Sequence, residues 1–116
     1  MQLDITPLND HLVKVTLAGR LDTQGVDRIE TRFIAAMVPA GKSAVVDISA
    51  VEFLASLGIR MLVAAARGLK MRKARLAVYG AGPAVSQVFE VAALGQLMSI
   101  CSSEAEAMAA VGAPGA

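Results

Sequence analysis

The sequence predicts an α/β domain: a mixed, mostly parallel sheet of about five strands with about four helices, in the order β-β-α-β-α-β-α-β-α. Three observations carry that reading. The hydrophobic period switches repeatedly between two and about 3.6, the mark of alternating strands and helices. Residues Ala44 to Val46 and Leu76 to Tyr79 are nearly continuous apolar runs, as strands buried on both faces require. Helical stretches separate the later strand-like runs, so those strands are expected to be parallel and joined by crossovers.

The elements follow in order. Leu3, Ile5 and Leu8 alternate, Asn9-Asp10 supplies turn chemistry, and Leu12 to Leu17 alternates again, which predicts an opening hairpin. His11, the only histidine, falls at that turn with no cysteine or second histidine near it, and reads as a solvated turn residue. Val26, Ile29, Phe33 and Met37 form one helical face, capped by Asp22 or Thr23 and ended by Pro39 and Gly41. The strand at Ala44 to Val46 leads into a second helix with Ile59, Leu62, Val63, Ala66 and Leu69 inward. The far end of that helix collects Arg67, Lys70, Arg72, Lys73 and Arg75, cations suited to a helix C-terminus.

After the strand Leu76 to Tyr79 comes Gly80-Ala81-Gly82-Pro83. It resembles the start of a dinucleotide loop, but the third glycine is missing, Pro83 follows, and no acid lies about 20 residues on after a strand. A turn with Pro83 in the first turn of the next helix is the better reading. Val85, Val88, Phe89 and Ala92 give that helix its inner face, and Leu97 to Cys101 form the last strand. Ser103-Glu104-Ala105-Glu106 has capping-box spacing for a final helix through Val111, with a frayed tail over 112–116. The chain is thus one domain over 1–111.

Composition narrows the function classes. The 116 residues are 55% hydrophobic and carry a net charge of +1, which favours neither disorder nor a globally electrostatic partner such as nucleic acid. The single cysteine, Cys101, leaves no intrachain disulfide, and the start Met1-Gln2-Leu3-Asp4 lacks a signal-peptide pattern. The longest uncharged runs, Leu76 to Phe89 and Val91 to Ser103, fall short of the roughly 18 to 20 apolar residues of a membrane span. A cytoplasmic protein without membrane insertion, metal or cofactor is expected.

The most informative segment is Asp47-Ile48-Ser49-Ala50-Val51-Glu52-Phe53-Leu54-Ala55-Ser56-Leu57-Gly58-Ile59, where a strand runs into a turn and the turn into a helix. Ser56 is expected at or next to the helix N-terminus, beside unpaired N–H groups and the positive end of the helix dipole, a setting that tolerates a phosphate. Its plain structural role there is that of an N-cap. The turn after Asp22 and the turn holding Ser56 both fall at carboxyl ends of strands, so one shared surface is expected. No catalytic set accompanies them: no histidine reaches Ser56, there is no nucleophile elbow, and no lysine or cysteine is flanked by a base. An enzyme is not expected.

The segment Asp47 to Ile59 resembles the signature of STAS domains of the anti-sigma factor antagonist type, in which Asp-Leu-Ser, a spacer, Phe, and Asp-Ser-Ser-Gly-Leu occupy the corresponding places. Gly19-Arg20-Leu21-Asp22 is similar to that family's Gly-Glu-Leu-Asp. The resemblance covers nearly the whole chain, including element order and length. It implies that Ser56 is a phosphoacceptor and Asp22 an acidic contact, within a partner-binding surface of Asp22, Thr23, Ala55, Ser56, Leu57 and Gly58. It also implies a partner that is both an anti-sigma factor and a serine kinase of the GHKL ATPase type, an opposing serine phosphatase of the PPM type, and a monomer when free. This chain departs from the pattern twice: Ala55 stands where the family has Asp, and Leu57 replaces the second hydroxyl.

The function these residues predict is a phosphorylation-gated switch that docks on the kinase when Ser56 is unmodified and releases it when Ser56 is phosphorylated. The alternatives are a constitutive STAS interaction subunit of a signalling scaffold or lipid-transport complex, a nucleic-acid binder using Arg67, Lys70, Arg72, Lys73 and Arg75, and a small enzyme. Only 3% of residues are aromatic, which leaves little for base stacking.

Overall fold

The computed structural model of the protein describes residues 1–112. Five strands, β1 (Gln2–Asn9), β2 (Leu12–Leu21), β3 (Ser43–Leu54), β4 (Leu76–Tyr79) and β5 (Ser99–Cys101), form one sheet in the order β1-β2-β3-β4-β5. The first pair is antiparallel and the other three are parallel, as the hairpin followed by helical crossovers requires. The helices are α1 (Thr23–Ala35), α2 (Ser56–Met71), α3 (Pro83–Val91) and α4 (Glu104–Gly112). The expected element order holds. The tail expected over 112–116 lies outside the described residues apart from Gly112, which belongs to α4.

Strand alternation assigns the helices to faces. Val13, Val15 and Leu17 of β2, Ala44, Val46 and Ile48 of β3, and Leu76 and Val78 of β4 meet α1, α2 and α3 in the larger core. Val45, Ala77 and Tyr79 point the other way and meet Ala107 and Val111 of α4. Ala44, Val45 and Val46 are therefore all fully buried, the condition their apolar run predicts. Lys14 bridges β2 to α4 through Glu104 at 2.9 Å, and that bond, helped by Tyr79, raises the lysine above its ordinary range. Ser103 caps α4 by accepting from the Glu106 N–H, and Glu106 reaches back to the N–H of Ser102.

Several local expectations shift. Asp22 caps α1 as predicted, but the helix ends at Ala35, so Met37 is buried from the turn that follows. The inner face of α2 is Gly58, Met61, Leu62, Ala65, Ala66 and Leu69, leaving the expected Ile59 and Val63 only half-buried. Close packing of Gly58 sets that rotation. Ala92 is the exposed C-cap of α3, and Ala93 at φ 54° breaks the chain into a 3₁₀ turn over Leu94–Gln96. Leu94 and Met98 then enter the core, so the last strand begins at Ser99 rather than Leu97. Ile5 and Leu8 are 40% and 41% exposed, because β1 is a sheet edge with few side chains over it.

Helix α2 breaks the capping rules at both ends. Its N-cap is Ala55, which has no side chain to offer the orphan N–H groups. At the other end the N–H of Ala74 bonds to Leu69 O and that of Lys73 to Lys70 O, a Schellman motif. The position that takes left-handed backbone in this motif is usually glycine, but here Lys73 holds it at φ 60°. The helix is held by packing of its buried face, where truncating Leu62 or Leu69 would cost about 2–5 kcal/mol. Ala55→Ser is expected to stabilise the fold by about 1 kcal/mol by supplying a cap. Lys73→Gly is expected to add about 0.5–1 kcal/mol, relief of backbone strain net of the extra freedom glycine has when unfolded. Urea midpoints of the two variants check both values, and unchanged or lowered midpoints would contradict them.

Candidate functional site

The site is built where β2 and β3 end together. Leu21 pairs with Leu54, and the N–H of Ala55 donates to Leu21 O at 3.0 Å, so α1 and α2 start side by side at the carboxyl end of the sheet. Two glycines make that approach possible. A Cβ on Gly25 would lie 2.1 Å from Arg20 O, and one on Gly58 would lie 2.9 Å from Leu21 O and 2.7 Å from Leu54 Cδ1.

Ser56 is not the N-cap. It is the first residue of α2, exposed, and among the described residues its hydroxyl makes no hydrogen bond. Ala55 occupies the cap position because the helix begins one residue earlier than a Ser56 cap requires, the last extended backbone being that of Ala55, with φ −94° and ψ 174°. The first bond into the helix is from the Ile59 N–H to Ala55 O, which leaves the N–H groups of Ser56, Leu57 and Gly58 without a partner among the described residues. An accessible hydroxyl thus stands beside three free donors and the positive end of a helix of 16 residues.

Asp22 has a defined structural task. Its Oδ1 accepts the Gly25 N–H at 2.9 Å, and its Oδ2 lies 3.6 Å from Arg20 Nε. The Gly25 N–H, with the Arg20 guanidinium adding to it, holds the carboxyl below the usual carboxylate range, so Asp22 presents a fixed negative charge. Thr23 is exposed beside it. Leu57 is half-buried against the core, and Gly58 is buried, so it has only its backbone to offer this surface. The accessible surface is therefore Asp22, Thr23, Ala55, Ser56 and the outer part of Leu57.

Sequence reasoning missed two members of this surface. Arg20 lies over the Phe53 ring with its guanidinium carbon 4.3 Å from the centroid, and Phe53 is 41% exposed. Both residues sit inside the motifs that drew attention to Asp22 and Ser56, but the register shift between Gly19 and Arg20 that sets Arg20 opposite Phe53 leaves no local trace in the sequence. Arg20, Asp22, Gly25 and Arg28 line an open depression of about 360 Å³ on this side. On the other side Ile59 lines an apolar groove of about 260 Å³ together with Val88 and Val91 of α3 and its C-cap Ala92.

This arrangement suits docking and modification of a hydroxyl. Among the described residues no group of three or more His, Cys, Asp or Glu side chains could hold a metal ion, and no helix is long and apolar enough to cross a membrane. Gly25→Ala and Gly58→Ala are each expected to destabilise the fold by about 1–3 kcal/mol, Gly25→Ala the more because its methyl meets backbone. Denaturant unfolding measures this, and wild-type stability in either variant would refute the close approach.

Comparison with known proteins places this geometry. The family model described as Mlab, STAS domain, matches residues 6–99. The anti-sigma-B factor antagonist of Listeria monocytogenes is 24% identical over 97 residues, covering 84% of each chain. The solved anti-sigma factor antagonist from Mycobacterium paratuberculosis superposes with a TM-score of 0.84 at 26% identity, covering 97% of this chain and 94% of that one. The Bacillus cell fate determinant SpoIIAA in its phosphorylated form shares the fold at a TM-score of 0.67 and 21% identity, covering 94% and 98%. A family model that spans most of the chain, and a sheet and helix order shared along nearly its full length, make this protein a member of the STAS domain family.

Proposed function

We propose that this chain is an anti-sigma factor antagonist that works as a phosphorylation-gated protein switch, binding an anti-sigma serine kinase of the GHKL ATPase type while Ser56 is unmodified. The observation that carries the reading is the Ser56 hydroxyl, which is exposed, has no capping role and stands beside Asp22 on one docking face. That the anti-sigma-B factor antagonist of Listeria is a relative, and that SpoIIAA has a phosphorylated form, supports it. In this reading the protein acts in the cytoplasm as a monomer when free. It supplies only the acceptor hydroxyl; nucleotide and catalytic groups belong to the kinase, and a PPM-type serine phosphatase restores the hydroxyl.

Phosphorylation adds about −1.5 to −2 charges to a patch that already carries the Asp22 carboxylate. The free N–H groups of α2 keep the phosphoprotein folded, while a partner surface fitted to a neutral hydroxyl must desolvate or oppose the new charge. A penalty of about 3 to 4 kcal/mol weakens binding a few hundredfold, enough to empty a micromolar complex. The fold need not change.

A second reading is favoured by Ala55 and Leu57, which remove a carboxylate and a hydroxyl from the docking face and leave Leu57 partly exposed beside it. It makes the chain a constitutive STAS interaction subunit of a signalling scaffold or lipid-transport complex. Tagged Ser56→Ala and Ser56→Asp proteins recovered from the native cells separate the two. The switch predicts that Ser56→Ala retains an ATP-binding anti-sigma kinase and that Ser56→Asp loses at least about nine-tenths of it. Equal recovery by both variants, or of a partner that is not a kinase, refutes the switch in favour of the second reading.

A further inference from the structure

We infer that the basic trough between the C-terminal end of α2 and the β5 edge is a second docking site, for an extended acidic segment of a partner protein with apolar residues between its acids. The trough has a volume of about 860 Å³. Lys70, Lys73 and Arg75 supply its charged lining, no acidic side chain joins them among the described residues, and Leu97, Met98 and Ile100 provide its apolar part. Leu97 and Ile100 are each 38% exposed. The inference is independent of the Ser56 switch, since α2 separates the two surfaces by about 24 Å at 1.5 Å per residue.

Among the described residues no carboxylate pairs with the trough cations. The ion pairs among the described residues are Lys14 with Glu104 and Arg20 with Asp22, both elsewhere. Arg72 is turned away to Pro39 O, and Arg75 makes one long bond of 3.4 Å to Ala110 O. The helix dipole accounts for Lys70 in the last turn, but Lys73 and Arg75 lie beyond the helix. Lys73 moreover occupies left-handed backbone where glycine is the unstrained choice, so a cation is held at the trough against local preference.

Charge and shape together select the occupant. Among the described residues β5 pairs only with β4, so its outer edge and Ile100 are open to an added extended segment. Side chains of such a segment alternate, which lets carboxylates meet the lysines while apolar side chains cover Leu97 and Ile100. Among the described residues no aromatic side chain lines the trough for base stacking, and a bare phosphate would leave the apolar lining wet.

Titration of the isotope-labelled full chain with a synthetic peptide of alternating Glu and Leu, followed by amide NMR shifts, tests this. Shifts are expected around residues 70–76 and 95–101, with affinity falling as salt rises from about 50 to about 500 mM. Lys70→Glu combined with Lys73→Glu is expected to weaken binding at least about tenfold. Lys73→Gly is expected to weaken it about threefold while the thermal midpoint rises, which separates lost recognition from lost folding. Shifts confined to the Ser56 face, equal binding of the Gln-Leu analogue, or undiminished binding by the lysine variants would overturn the proposal. So would a short DNA duplex or inorganic phosphate shifting these amides where the acidic peptide does not.

Discussion

The end of β2 governs this structure. Leu21 is fully buried, its carbonyl accepts the N–H of Ala55, and the same carbonyl stands where a side chain on Gly58 would have to go. One residue earlier, Arg20 O blocks any side chain on Gly25. These contacts lock the first turns of α1 and α2 to a single strand end. The inward face of α2, the burial of Met61 and Leu62 and the exposure of Ser56 follow from that lock. Phosphate on Ser56 would therefore be added to a rigid surface, and its effect on a partner would be electrostatic rather than conformational.

Helix α2 divides structural from surface roles along its length. Its buried stripe contributes packing that far outweighs a single cap, so neither terminus is required to be locally optimal. Ala55 leaves three N–H groups free at one end and Lys73 sets a charge on left-handed backbone at the other. The opposite face of the sheet carries a separate polar tie. Burial pushes the Asp47 carboxyl up, but hydrogen bonds from the Ser49 hydroxyl and N–H prevail and leave it lowered, while Lys14 reaches across to Glu104. The Lys14 bridge fastens β2 to the start of α4, away from the docking face.

What was legible in the sequence was local. The apolar runs of β3 and β4, the cap at Asp22, Pro83 at the head of α3 and the Ser103 box are each decided by a few neighbouring residues, and each stands where the pattern put it. What escaped was set by packing at a distance. The rotation of α2 that buries Met61 and lifts Ile59 depends on Gly58 meeting Leu21. The stacking of Arg20 on Phe53 depends on a shifted register between two strands. A serine before a helix is equally compatible with the cap and the first helical residue, and only the backbone angles of Ala55 separate them. That single-residue difference removes the capping role of Ser56 and leaves its side chain exposed.

The measurement that tests the central claim most directly is intact-mass and phosphosite mapping of the protein purified from its own cells, with and without phosphatase treatment. The account predicts a phosphorylated fraction carrying its phosphate on Ser56, abolished by phosphatase and varying with growth condition. A uniformly unmodified Ser56 across several growth conditions, or phosphate only on another residue, would contradict it.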